Sequence, residues 1–264
     1  MRTYVVTGSA SGIGAAFRER VERAGARVIG VDLHDADVLA DLSTAAGRGE
    51  MVERVERAAD GRVDALVACA GVGGGEHPPD AVIPVNYFGA VATLEGLRPL
   101  LAGSKAPRAA VVSSIDLLSG PDDGVTTLCL EGDEDGAVLA AGGSGPLAYA
   151  GSKRAIARWL RHAAVSPEWA GAGIPLNAVA PGVIETPMTT YLVGTAAVRA
   201  NTLKRVPQPL GGIGRPEQVA ALLDWLTGEE NEIVTGQVVF IDGGHEALMR
   251  PGELPRGADA AAWA

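Results

Sequence analysis

Tyr149 and Lys153 stand four residues apart in Tyr149-Ala150-Gly151-Ser152-Lys153, a spacing that on a helix puts a phenol and an ammonium on one face. A phenol titrating near ~10 is a poor base at neutral pH. A neighbouring ammonium stabilises phenolate and moves it toward the range useful for proton transfer. The same spacing also suits an ordinary solvated helix face, so it needs support from elsewhere in the chain. That support is Thr7-Gly8-Ser9-Ala10-Ser11-Gly12-Ile13-Gly14, which directly follows the apolar Tyr4-Val5-Val6. Glycines let backbone approach a phosphate, and a strand-to-helix turn aims free N–H groups and the positive end of the helix dipole at it. A dinucleotide site combined with a proton-transfer pair points to redox acid/base chemistry.

The elements that must position these groups follow in order. Ile13 to Ala24 has helical spacing, Ala24-Gly25-Ala26 ends it, and Arg27-Val28-Ile29-Gly30-Val31 reads as a second strand closing in Asp32. An acid about 20 residues past the turn is placed to accept hydrogen bonds from the adenosine ribose, and it repels a 2′-phosphate. Ser9, Ala10, Ser11 and Leu33 supply no cation and His34 reads as a surface residue, so the expected cofactor is NAD(H) and not NADP(H). Ala109-Ala110-Val111-Val112-Ser113-Ser114 reads as a buried strand ending in hydroxyls. Ser114 could donate to a carbonyl or alkoxide oxygen, or simply cap the strand. Asn86, in Val85-Asn86-Tyr87-Phe88-Gly89, could hold a water against Lys153 or merely bend a helix.

Strand-like apolar runs alternate with helical ones from Thr3 to Ile241. This predicts an α/β fold: a Rossmann-type, doubly wound parallel sheet in three α/β/α layers, with a single domain over 1–251. At 264 residues and 47% hydrophobic, the chain can bury a substantial core. A tail over 252–264, rich in Gly, Pro and Ala, is expected to be loosely held. No internal repeat is present.

These motifs, in this order, resemble the short-chain dehydrogenases/reductases across essentially the whole chain. The resemblance implies a catalytic tetrad of Asn86, Ser114, Tyr149 and Lys153. It also implies cofactor contacts from Gly8, Ser11, Gly12, Ile13, Gly14, Asp32, Asp41, Leu42, Ala70, Gly71, Tyr149 and Lys153. Further cofactor contacts would come from Pro181, Gly182, Val183 and Thr186, with Asp41-Leu42 at the adenine and Thr186 at the nicotinamide carboxamide. Gly214-Arg215-Pro216-Glu217 and Thr235-Gly236-Gln237 through Gly244 match the family's last helix and strand. One departure is Ala68-Cys69-Ala70-Gly71, where the family usually has Asn-Asn-Ala-Gly; it removes an amide expected to brace the sheet, and Cys69 reads as a small buried filler.

Several segments also resemble a narrower branch, the bacterial 3α-hydroxysteroid dehydrogenases/carbonyl reductases. They include Asp35 to Ala45, Val85 to Ala90, Leu147 to Lys153 and Met249-Arg250-Pro251. The coniferyl-alcohol dehydrogenases are similar in the same places. The implied substrate is a hydrophobic secondary alcohol or ketone. Its pocket would be built from Ser114, Leu117, Tyr149, Pro181, Met188, Thr189, Tyr191 and Leu192, with Leu118 and Val193 nearby. A tailoring ketoreductase and a non-catalytic nucleotide-sensing module are the remaining alternatives, because one scaffold hosts many functions.

Thirty-four residues separate Ser114 from Tyr149, so Leu117 to Gly145 reads as an insertion. Gly120 to Gly124 is its turn, Gly142-Gly143-Ser144-Gly145-Pro146 a flexible return, and a short helix fits between. Family members commonly pair through the helix that bears Tyr149. An insertion at its start would cover that face and favour a homodimer over a tetramer.

The net charge of −10 and pI near 4.9 argue against nucleic acid or an anionic membrane as partner. Cys69 and Cys129 have no metal-ligand spacing, the four histidines are dispersed, and no metal is expected. Glu131, Asp133, Glu134 and Asp135 read as a solvated face. A first strand close to Met1, without a secretory or membrane-spanning segment, leads to the expectation of a cytoplasmic protein.

Overall fold

The computed structural model describes residues 1–120 and 124–252. Pro121, Asp122 and Asp123 of the expected turn, and 253–264 of the expected tail, lie outside the described residues. Among the described residues, β1 (Thr3–Thr7), β2 (Arg27–Asp32), β3 (Val38–Leu39), β4 (Ala65–Ala68), β5 (Arg108–Val112), β6 (Leu176–Pro181) and β7 (Val238–Ile241) form one sheet. Its order is β3-β2-β1-β4-β5-β6-β7, and every pairing is parallel. The order reverses between β1 and β4, where a crevice opens at the carboxyl ends of the strands.

The helices are α1 (Gly12–Arg23), α2 (Ala45–Ala59), α3 (Pro79–Ile83), α4 (Ala90–Leu97), α5 (Gly124–Glu131) and α6 (Glu134–Ala140). They continue with α7 (Gly145–Ala163), α8 (Thr190–Val193), α9 (Ala196–Arg205), α10 (Pro216–Thr227) and α11 (His245–Met249). Alternation along the strands divides the core into two layers, because successive strand residues point to opposite faces. Val5, Leu66, Val111 and Ala178 join Met51, Leu94, Ile156 and Leu160 of α2, α4 and α7. Tyr4, Val6, Val67 and Val179 join Phe17 and Val21 of α1 and Val219 and Leu223 of α10. Both faces are covered, and β1 is buried at every position.

The insertion is more structured than its sequence suggests. It is a helical hairpin, α5 and α6, whose Val125, Cys129, Ala137 and Ala141 are buried in the same core layer as Ala148 and Ala155 of α7. Ser144 and Gly145 are not a flexible return: Ser144 caps α7 by accepting from the Leu147 N–H, and Pro146 sits in the first turn. The acidic run is likewise not simply a solvated face. Asp133 caps α6, and Glu134 pairs with the buried Arg48 of α2 at 2.6 Å, tying the hairpin to the body of the domain. Thr126 Oγ1 adds a hydrogen bond to the Gly151 carbonyl at 3.3 Å.

Leu160 is fully buried on α7, so Leu160→Ala is expected to lower unfolding free energy by ~2–5 kcal/mol. Urea unfolding followed by circular dichroism reads this directly. A loss well below that range would mean that α7 is not docked as described.

Candidate active site

The glycine turn passes from β1 to α1 with almost no room for side chains. Gly8 has φ +69°, and a Cβ there would lie 2.8 Å from the Ala70 Cα; a Cβ on Gly14 would run into the Gly8 carbonyl. This packing brings the turn against β4 and leaves bare backbone at the strand ends. Ser11 occupies the N-cap position of α1, yet its hydroxyl makes no capping bond. The first-turn N–H groups of α1 therefore remain available to an anion, as a pyrophosphate requires. Asp32 closes β2 and accepts from the Ala10 N–H at 2.9 Å and the Leu33 N–H at 2.7 Å. Its carboxylate thus holds the turn and also faces the cleft.

The end of β4 is tied to β1 by Thr7. Its buried hydroxyl accepts from the Cys69 and Ala70 N–H groups, each at 3.1 Å. Cys69 lines the cleft and is only partly buried. Burial of its thiol group nonetheless pushes the pKa up to about 12, which leaves it protonated and unreactive at neutral pH.

A single cleft runs from this turn to the start of α7. It is lined by the expected Gly8, Ser11, Gly12, Ile13, Gly14, Asp32, Asp41, Leu42, Ala70 and Gly71 at one end. Ser114, Tyr149, Lys153, Pro181, Gly182, Thr186, Met188 and Thr189 line the other. The glycine cradle, the uncapped helix and the two acids fit a dinucleotide. Lys153, on α7, is the one Lys or Arg among the described lining residues.

Lys153 is 4% exposed and donates from Nζ to the Val112 carbonyl at 2.9 Å. Burial pulls its pKa down to about 8, opposed by the nearby Cys69 and Asp116. Its Nζ lies 5.7 Å from the centre of the Tyr149 ring. Burial pushes the Tyr149 phenol well above its ordinary value, and the Asp116 carboxylate adds to this; a hydrogen bond with Ser114 acts the other way. Ser114 lies two residues past the end of β5 and caps the 3-10 turn Ile115–Leu118.

Asn86 sits in a π-helical turn, Pro84–Gly89, between α3 and α4, a distortion frequent at functional sites. Its side chain is bound at both ends to one residue. Oδ1 accepts from the Val72 N–H at 2.9 Å and Nδ2 donates to the Val72 carbonyl at 3.0 Å, which fixes the loop after β4. A Cβ on Gly71 would lie 3.1 Å from Asn86 Oδ1 and 3.4 Å from Lys153 Nζ, so these groups share one small space that only glycine leaves open.

The other expected residues are Val183, Leu117, Tyr191 and Leu192. Val183 is clamped from behind by the buried Gln208, whose Oε1 accepts from its N–H at 2.7 Å and whose Nε2 donates to its carbonyl at 3.3 Å. Leu117 lies in the 3-10 turn and gives its carbonyl to Arg154. Tyr191 and Leu192 belong to α8, which starts after Thr189; Tyr191 is half exposed, a Cβ on Gly75 would lie 2.8 Å from its Oη, and its phenol and that of Tyr149 both feel the Asp116 carboxylate. Arg154, Gln208 and Thr7 escaped sequence reasoning because each bonds backbone groups that no residue-type pattern marks. Among the described residues no cluster of His, Cys, Asp and Glu could hold a metal, and no helix is long and apolar enough to cross a membrane.

Residues 2–121 match the family described as short chain dehydrogenase, and 135–246 the one described as Enoyl-(Acyl carrier protein) reductase. The 3-alpha-hydroxysteroid dehydrogenase/carbonyl reductase of Comamonas testosteroni is 37% identical over 257 residues, spanning 95% of this chain and 99% of that protein. The 3-oxoacyl-[acyl-carrier-protein] reductase FabG of Thermotoga maritima is 33% identical, spanning 92% and 97%. The crystal structure of the 3-alpha-hydroxysteroid dehydrogenase from Pseudomonas sp. B-0831 complexed with NADH has 40% sequence identity and a TM-score of 0.89, covering 96% of this chain and 100% of that one. Sheet order, cleft and full-length similarity agree that the chain is an oxidoreductase belonging to the short-chain dehydrogenase/reductase family.

Proposed function

We propose that the protein interconverts a secondary alcohol and a ketone on a hydrophobic substrate, using NAD(H), with a 3α-hydroxysteroid or a related carbonyl compound as the favoured substrate class. The observation that carries this reading is the continuity of the cleft from Asp32 and the glycine turn to Ser114, Tyr149 and Lys153. The substrate class rests on full-length similarity to two proteins named as 3α-hydroxysteroid dehydrogenases, one of them described in complex with NADH.

Bound NAD(H) supplies the hydride acceptor or donor and, when oxidised, a positive ring charge. The rest belongs to this chain. Asp32 and Asp41 put negative charge at the adenosine end, which suits ribose hydroxyls and disfavours a 2′-phosphate. Tyr149 takes the alcohol proton, or returns it to the carbonyl oxygen. Lys153, on the next turn of α7, stabilises the phenolate, and Ser114 hydrogen-bonds the reacting oxygen. Asn86 keeps the loop carrying Gly71 and Val72 from closing over the ammonium. Met188, partly exposed above Gly73, gives the substrate end an apolar wall.

The same structure supports a homodimer. The buried face of α7 from Gly151 to Ala157 is already covered within one chain, with α5 packed on it. Trp225 on α10 and Ile233 beyond it remain exposed, at 44% and 90%, and β7 is an edge strand of the sheet. Sedimentation equilibrium is expected to give twice the chain mass, and Trp225→Glu to weaken the pair; a predominant tetramer would exclude this arrangement.

Turnover followed by nicotinamide absorbance tests the reaction. A 3α-hydroxysteroid should be oxidised with NAD⁺, and Tyr149→Phe should lower kcat at least ~10²-fold with little change in NADH affinity. Turnover of coniferyl alcohol alone would reassign the substrate, and cofactor binding without turnover on a broad alcohol and ketone panel would refute the enzymatic reading. Asp32→Ala should shift the NAD⁺/NADP⁺ preference toward NADP⁺ by at least about tenfold, or ~1.4 kcal/mol; an unchanged ratio would remove Asp32 from cofactor choice.

A further inference from the structure

Beside the proposed base lies a carboxylate with no role in the chemistry above. Asp116 is two residues past Ser114 and partly buried. Its N–H donates to Ser114 Oγ at 3.1 Å, and the Ser114 hydroxyl donates to its Oδ2 at 3.2 Å. The remaining oxygen, Oδ1, accepts from Ser119 Oγ at 3.3 Å. The turn that holds Asp116 is fastened to α7 by the buried Arg154, which donates to the carbonyls of Leu117, Ser119 and Gly120. Asp116 is therefore fixed relative to the helix that carries Tyr149 and Lys153.

A serine hydroxyl has one proton. In the structure it is given to Asp116, while Ser114 also hydrogen-bonds Tyr149. A Tyr149 phenolate would need that same proton as a donor. We propose that Asp116 is a positioning residue that restrains Ser114 and competes with the Tyr149 oxygen for the serine's single proton, and so governs when Tyr149 can act as a base. The inference rests on the reading of Tyr149 as the base.

The charges around it agree. The Asp116 carboxylate disfavours ionisation of Tyr149 from α7 and of Tyr191 from α8, and it favours the charged form of Lys153. Glu76, in the loop after β4, acts on Tyr191 in the same sense as Asp116. Arg154 of α7 donates to carbonyl oxygens of this turn. Replacing Asp116 by a neutral residue removes a like charge and frees the serine proton; both changes favour phenolate.

The test is an ultraviolet phenolate titration of the full chain with NAD⁺ bound, taken as the difference between each protein and the same protein carrying Tyr149→Phe. Asp116→Asn is expected to lower the Tyr149 midpoint by about one pH unit, the size expected for two like charges separated by one bridging hydroxyl. Asp116→Glu should recover most of the shift. Asp116→Ala should reproduce the Asn result if the amide disturbs the turn, with NADH affinity checking that the fold is intact. In alcohol oxidation, the acid limb of the kcat/KM profile should move to lower pH in Asp116→Asn, with the effect in kcat and not in KM. An unmoved midpoint in both neutral variants would overturn the proposal. A midpoint that moves in a protein that oxidises no alcohol would uphold the Asp116 role and defeat the enzymatic reading instead.

Discussion

An ammonium ion withdrawn from water is the constraint around which this site is built. Lys153 has almost no solvent contact, and an unpaired buried charge is costly unless the protein supplies fixed acceptors. The Val112 carbonyl does so, because it lies at the end of β5 facing the crevice where the sheet order changes. For Nζ to reach it, the loop after β4 must leave a gap, and Gly71 leaves that gap by lacking a side chain. Asn86 then holds the neighbouring Val72 through both its N–H and its carbonyl, so the gap cannot collapse. Two strands, a π-helical turn and α7 meet at this one charge.

The helix that carries the ammonium works on several sides at once. One side presents Tyr149 and Lys153 to the cleft. Arg154 fastens the turn beyond Ser114, and the small residues Ala148 and Ala155 share a core layer with the α5–α6 hairpin. Close approach depends on glycine again: a Cβ on Gly74 would strike the Gly145 carbonyl and come within 2.8 Å of the Tyr149 Cβ. The hairpin therefore contributes to the site indirectly, by burying the outer side of the helix on which the geometry of Tyr149 and Lys153 depends.

The fold and the cleft were legible because each was written in local patterns. Apolar runs alternating with helical spacing gave the strands and their order of appearance, and the turn, Asp32, Ser114 and the Tyr149–Lys153 pair fell where parallel strands end. The hairpin was not legible as two helices, since α5 is largely apolar without a strong one-sided pattern and α6 spans only Glu134–Ala140. Its stability comes from burial against α7 and from the Arg48–Glu134 pair, partners separated by 86 residues. The braces were hidden for a related reason. Thr7, Gln208 and the side chain of Asn86 bond backbone groups, as Arg154 does at three carbonyls, and backbone groups carry no residue-type signal.

Taken together, the electrostatics describe a site that is incomplete on its own. Burial opposes charge on both members of the Tyr149–Lys153 pair: it raises the phenol and lowers the ammonium. With Asp116 also disfavouring phenolate, the chain alone holds Tyr149 as a neutral phenol at neutral pH. In the proposed reaction, proton abstraction then requires further positive charge near the phenol oxygen, and Pro181, Gly182 and Thr186 line the same cleft as Tyr149. In a desolvated cleft, Coulomb interactions are several times stronger than in water. Coupling base strength to occupancy of that cleft would make proton removal conditional on a bound hydride acceptor, which is how a reversible alcohol–ketone interconversion avoids separating its two transfers.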